Sequence, residues 1–150
     1  MAIPFNKKLE KDTARLYCNA TAASNITVND TDYTIPFDSL GTKSGTNNVF
    51  NFDDSTNSII VNKQGWYEIG CMLGIQTTSN SNSMLYLYMN GKYVRRCYIT
   101  YNTDTKLDTV HFSTVFPINV GSILKFVLKD CNGLIWTSDL VNTNAYIKEL

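Results

Sequence analysis

Residues 84–94 read Met84-Leu85-Tyr86-Leu87-Tyr88-Met89-Asn90-Gly91-Lys92-Tyr93-Val94, and this stretch decides the fold class. Apolar and aromatic residues run up to Asn90-Gly91, a pair that tolerates positive φ as a two-residue hairpin turn requires. The spacing predicts a β-hairpin with Leu85 and Leu87 on a core face. Tyr86, Tyr88 and Tyr93 take the other face, with Tyr88 opposite Tyr93 and Tyr86 opposite Arg95. Outward from this hairpin, segments of the same kind recur. Runs of Ile, Val, Tyr, Phe and Leu, separated by Gly, Asn, Asp and Ser clusters, predict strands near 14–22, 33–37, 48–52, 58–62, 66–76, 83–90, 92–101, 107–117, 122–129 and 134–148, the last with a break. The segment 19–45, rich in Thr, Asn, Asp and Ser, is expected to hold loops and edge strands. Lys7 to Leu16 suits a short helix or, equally, a polar lead-in arm. About ten short strands in one chain imply an all-β fold, an antiparallel sandwich or barrel.

Alternation assigns faces within these strands. After Gly65, Tyr67, Ile69, Cys71, Leu73 and Ile75 share one face, and Trp66, Glu68, Gly70, Met72 and Gly74 the other. A strand with a core stripe on one side and a Trp and a Met on the other is half core and half interface. Val110, Phe112, Thr114 and Phe116 share a face, with His111, Ser113 and Val115 opposite. Leu124, Phe126 and Leu128 form a core stripe, with Lys125 and Lys129 outside it.

The chain has 150 residues, the size of a single domain. Its 13 basic and 13 acidic residues cancel. A balanced charge argues against a sequence-independent grip on nucleic acid and gives no polybasic membrane contact. No stretch approaches the roughly 18 apolar residues of a transmembrane helix, and residues 1–11 show no secretory signal. Cys18, Cys71, Cys97 and Cys131 form no C-x-x-C pair, so zinc and thioredoxin-like chemistry fall away. Without export, reduced and mostly buried thiols are expected.

Catalytic equipment is sparse. His111 is the single histidine, so no His-based metal site forms within one chain. Neither a G-x-S-x-G elbow nor a phosphate-cradling G-x-x-x-x-G-K-[ST] loop occurs. Asp53-Asp54 is the one adjacent carboxylate pair, expected in a solvated turn, and the acidic residues lack EF-hand spacing. The sequence therefore predicts no enzyme, no cofactor and no metal.

The spacing of Asn47, Phe52, Ile59, Gly65, Tyr67, Ile69 and Cys71 resembles the signature of the complement C1q globular head. The stretch from Ile59 to Ile69 looks like the strand, turn and strand that this family shares with tumour necrosis factor ligands. Val115 to Leu124 resembles the family's late strand, Gly-centred turn and next strand, and Asn144-Ala145-Tyr146-Ile147 its last strand. The chain departs from the pattern at Ile59, Ile69 and Cys71, usually aromatic, at Ser122, commonly acidic, and near Gly41, where the opening Phe is missing.

This resemblance implies a ten-strand antiparallel jelly-roll sandwich over residues 14–150, preceded by an N-terminal arm over 1–13. It also implies a homotrimer that binds or assembles. In such a trimer the non-core face of the His111 strand points at the threefold axis, with Glu68, Gly70 and Asn144 from neighbouring strands and Trp66 and Met72 in the subunit contact. Three imidazoles there would titrate as a coupled set. Tyr86, Tyr88, Tyr93 and Arg95 form a candidate recognition surface, although Tyr also simply suits strands. The weakly charged, Asn-, Thr- and Tyr-rich composition and the lack of an export signal point to a bacteriophage virion. The expected protein is a head on a fibre, tail or capsid surface, made in the host cytoplasm. Its arm would dock onto other virion proteins, and its surface would meet a host glycan or protein. The alternatives are a bacterial surface or spore-coat protein of the same fold, or a carbohydrate-binding module.

Overall fold

The computed structural model of the protein describes residues 14–19, 26–29, 32–37, 39–44, 48–77, 81–101, 107–129, 131–136 and 143–150. Thirteen strand segments lie among them: β1 (Arg15–Asn19), β2 (Ile26–Asn29), β3 (Tyr33–Thr34), β4 (Ser39–Ser44), β5 (Phe50–Asp53), β6 (Ser58–Val61), β7 (Gly65–Thr77), β8 (Ser81–Met89), β9 (Lys92–Tyr101), β10 (Leu107–Ile118), β11 (Ser122–Lys129), β12 (Asn132–Trp136) and β13 (Asn144–Glu149). Every predicted strand has a counterpart. β2 and β4, at the ends of their sheet order, are the edge strands expected of the polar 19–45 region, and the expected break in the last strand divides it into β12 and β13. None of the described residues is helical. Arg15 and Leu16 are extended in β1, so the helical alternative fails at those two positions. The arm expected over 1–13 lies outside the described residues, as does Asn47.

Seven strands form one antiparallel sheet in the order β2-β12-β7-β13-β1-β4, with β10 on the other flank of β7. The second sheet runs β5-β6-β11-β8-β9, with β3 also on β11. The two pack face to face as a jelly-roll sandwich, and period-two alternation is the reason. Tyr67, Ile69, Cys71, Leu73 and Ile75 of β7 meet Leu85, Leu87, Leu124, Phe126 and Leu128 of the opposite sheet, all buried. Phe126 stands edge-on to both Phe37 and Phe112. Each such side chain contributes about 1.5–3 kcal/mol on leaving water.

A polar network closes one end of the core. Tyr67 packs edge-on against Phe50, 5.5 Å between ring centroids, and donates its hydroxyl to the Lys63 carbonyl at 2.5 Å. The Lys63 ammonium bonds the Glu149 carboxylate, which is buried and also accepts the Ala14 N–H at 3.4 Å. At the β5–β6 turn, Asp53 Oδ1 accepts from the Ser55 hydroxyl (2.6 Å), the Ser55 N–H (3.0 Å) and the Thr56 N–H (3.3 Å). These bonds hold its carboxyl below the usual range and make Asp53-Asp54 the turn expected from sequence.

Cys18, Cys71 and Cys131 are buried, and none of the four cysteines is joined in a disulfide. Ala145 pairs with both Cys18 and Cys71. Two strand spacings, about 10 Å, therefore separate these cysteines, beyond the reach of a disulfide. Burial pushes the Cys18 thiol up to about 12 and raises the Cys71 thiol as well. Burial and then the Glu149 charge push the Tyr67 hydroxyl to about 12. Each of these groups holds its proton more tightly folded than unfolded. The stability they confer is intact below the ordinary thiol value of 9.0 and falls as pH rises towards 12. Thermal melts followed by circular dichroism should therefore show a falling Tm across this alkaline window. A Tm that holds steady through it would contradict the burial of these groups.

Asn90 and Gly91 adopt φ of 52° and 79°, the conformation of the two-residue hairpin turn. Tyr88 faces Tyr93 as predicted, but the register then slips. Leu87 pairs with Arg95 and Tyr86 with Arg96, leaving Val94 as the extra residue of a β-bulge. The expected Tyr86–Arg95 pair is thus corrected to Tyr86–Arg96. Val94 packs against the core, and accommodating it moves Arg95 off the tyrosine face. The Arg95 guanidinium lies 5.0 Å from the centroid of the Phe116 ring instead.

Candidate functional site

Side chains that the core does not take project from the outer face of the seven-stranded sheet, and the register sets them in rows. Met72 lies between His111 and Asn144. Gly70 lies between Ser113 and Tyr146, with Tyr17 beyond. Glu68 lies between Val115 and Lys148, and Trp66 faces Pro117. His111 is exposed and borders a cleft of about 190 Å³ with Met72, Ser113, Asn144 and Tyr146. Of the residues expected around His111, Met72 and Asn144 share its row and Gly70 occupies the next. Glu68 stands four residues along β7 from Met72, about 13 Å at the strand rise, and Trp66 stands further still. The predicted residues form a strip along the sheet.

Gly70 is required by Tyr146. A Cβ at position 70 would sit 2.2 Å from Cε1 of the Tyr146 ring and 2.7 Å from its hydroxyl oxygen, so the ring occupies the space a side chain would fill. There its hydroxyl donates to Glu68 Oε1 at 2.9 Å and its ring leans on Tyr17, with centroids 6.0 Å apart. Burial, reinforced by the Glu68 bond, pushes this hydroxyl to about 12. Tyr146 and Tyr17 are not predicted for this face from sequence, although Tyr146 has the parity of Asn144. Trp66, Val115 and Tyr17 are 58%, 48% and 40% exposed, all on this one face. Large apolar side chains scattered singly need no explanation, whereas a group of them on one sheet face is the kind of surface that marks an interaction site.

The outer face of the six-stranded sheet carries a second cluster. Tyr86 is at its centre, buried beneath its neighbours, with the rings of Tyr93 and Tyr88 at 5.4 and 6.1 Å. Its hydroxyl donates to Met84 Sδ at 3.3 Å and accepts from Arg96. The Lys129 ammonium lies 5.5 and 5.2 Å from the Tyr86 and Tyr88 ring centroids and 3.0 Å from Asp32 Oδ2. Hydrogen bonds to Tyr88 and Asp32 strengthen the hold of Lys129 on its proton. Arg96 also stacks on Tyr98, 5.2 Å from its centroid. The three predicted tyrosines therefore come together and Arg95 leaves them, while Arg96, Tyr98 and Lys129 join. Lys129 was legible from alternation as an outward residue, but its meeting with Tyr88 depends on the β8–β11 register.

Among the described residues no group of three or more His, Cys, Asp or Glu side chains is arranged to hold a metal ion. No helix of the described residues is long and apolar enough to cross a membrane.

No protein-family model matches the sequence, and no curated protein matches it. Solved structures do. The chain is similar to Eiger TNF from S. frugiperda, with a TM-score of 0.68 at 10% identity over 93% of each chain. It is also similar to murine APRIL in crystals at pH 8.0, with a TM-score of 0.68 at 10% identity, and at pH 5.0, with 0.65 at 13% identity. Each comparison covers 92% of this chain and 99% of the APRIL chain. At such identities the likeness is one of backbone, and the fold of this chain is a TNF-like jelly roll.

Proposed function

We propose that the chain is a non-enzymatic binding head that works as a homotrimer, three copies meeting through the outer face of the seven-stranded sheet. The observation that carries this reading is the exposure of Trp66, Val115 and Tyr17 together on that face, a surface that self-association would cover. The TNF-like fold supports the same assembly. In it Trp66, Glu68, Gly70, Met72 and Asn144 line the subunit contact, and His111 is repeated three times about the axis. The tyrosine cluster belongs to the other sheet and stays outside the contact. Tyr86, Tyr88 and Tyr93, with Arg96 in the place expected for Arg95, form the recognition surface, since aromatic rings and arginine dominate binding energetics. The partner in this reading is a host-surface glycan or protein, and the setting is a bacteriophage fibre, tail or capsid surface. Support for that setting is the balanced charge and the Asn-, Thr- and Tyr-rich composition.

Light scattering on a sizing column tests the assembly directly. A mass near three times 16.9 kDa is expected. A single-chain mass at micromolar concentration would overturn the trimer and the axial position of His111.

A further inference from the structure

We propose that a groove on the outer face of the six-stranded sheet, contained within one protomer, binds a neutral saccharide unit. This names a ligand class for the binding-head reading, but the site itself does not need the trimer. The groove, about 430 Å³, opens where β3, β8 and β11 meet. That volume lies in the range of small-ligand sites.

Its walls are of two kinds. Ile123 and Val127 of β11 and the ring of Tyr88 give an apolar floor, and Asp32, Thr34, Asn90 and Lys125 give polar groups around it. Lys125 stands directly opposite Tyr88 across the strand pair, so an aromatic ring and an ammonium are adjacent. Gly91, without a side chain, leaves the hairpin end of the groove open.

Two of the polar groups are held in place before any ligand arrives. The Asn90 N–H donates to the Ile123 carbonyl, and Asn90 Oδ1 accepts the Ile123 N–H, both at 2.9 Å. With Oδ1 engaged, the amide offers its Nδ2 as a donor. Asp32 is held through Oδ2 by Lys129, which also braces the Tyr88 ring at 5.2 Å. Such fixed groups lose little freedom when a ligand binds.

A pyranose matches this arrangement. One of its faces is a sheet of C–H bonds, suited to the Tyr88 ring and the aliphatic floor, and its edge is a row of hydroxyls that both donate and accept. Asp32 accepts, the Asn90 amide and Lys125 donate, and the Thr34 hydroxyl does either. Lys129 pairs with Asp32 at 3.0 Å, which leaves the positive charge of Lys125 in the groove, so D-glucuronate is the competitor that a neutral sugar must exceed.

The test is a titration of the intact ¹⁵N-labelled protein with D-galactose, D-glucose, D-mannose and N-acetyl-D-glucosamine, followed by amide chemical shifts. At least one of the four should move the Asn90, Gly91 and Ile123 resonances saturably. Asp32→Ala and Tyr88→Ala should each weaken that binding about tenfold or more. Tyr88→Phe, which keeps the ring, should bind nearly as the parent does, and Lys125→Ala guards against a tyrosine variant that fails to fold. No saturable shift with any of the four sugars, shifts confined to another surface, or tighter binding of D-glucuronate than of every neutral sugar would overturn the proposal. Binding by a chain that scatters as a monomer would keep the groove and discard the trimer, whereas a trimer that binds none of the sugars would do the reverse.

Discussion

Tyr67→Ala is expected to destabilise the protomer by about 4 kcal/mol, from the lost ring and the cavity it leaves. Tyr67 is fully buried, stacks edge-on with Phe50, and ties the Lys63 carbonyl into the core. Its removal acts twice. The core loses an aromatic ring that its neighbours cannot replace, and the segment carrying Lys63 loses its anchor. Lys63 is in turn a partner of the buried Glu149 carboxylate, and loosening the ion pair of a buried charge is costly. For a domain with roughly 5–15 kcal/mol of total stability, such a loss leaves a readily measured unfolded fraction. Tyr67→Phe separates the contributions, because it keeps the ring and leaves one carbonyl unsatisfied, at about 1–3 kcal/mol. Urea unfolding of the two variants gives both numbers. A Tyr67→Ala midpoint close to that of the parent would mean that the core is not packed around this ring.

Val115→Glu is expected to convert the proposed trimer to single chains while leaving the protomer folded. Val115 is 48% exposed in the protomer, so by itself the substitution should shift stability by only about 0.5 kcal/mol. In the assembly the new carboxylate would be desolvated, directly opposite Glu68, and like charges facing each other across strands repel. An unpaired buried charge costs several kcal/mol per copy, about a thousandfold or more in association. Light scattering should report one chain where the parent gives three, with unchanged circular dichroism. Val115→Ile, apolar and of similar shape, should remain trimeric. Retention of the threefold mass by Val115→Glu would exclude this face as the contact.

How much of this was legible in the sequence depends on how local each determinant is. Asn90-Gly91 announces its own turn, and the alternation from Tyr67 to Ile75 announces its own buried face, because both need only neighbours along the chain. The short strand β4 carries no apolar alternation, and in β2 only Ile26 and Val28 alternate with polar residues, so both take their place from the strands beside them. The bulge at Val94 was invisible for a similar reason. It is set by how Val94 meets the core, and it decides that Arg96 joins Tyr86. The meeting of Tyr146 with Gly70, and that of Lys129 with Tyr88, depend on pairings between strands remote in sequence. No periodicity encodes those pairings. Sequence therefore yielded the architecture and most members of each face, while the contacts that give each face its chemistry came from register.

The bulge has a consequence for how the protein behaves in company. β9 is the outermost strand on its side of the six-stranded sheet, and a straight outermost strand is a template onto which another chain can hydrogen-bond. Here Val94 drops out of the ladder and Arg95 brings a positive charge to the seam beside Phe116. A second strand arriving at that rim meets a kink and a cation in place of a regular row of amides. The irregularity that defeats prediction of Tyr86's partner also discourages copies from joining rim to rim into fibrils.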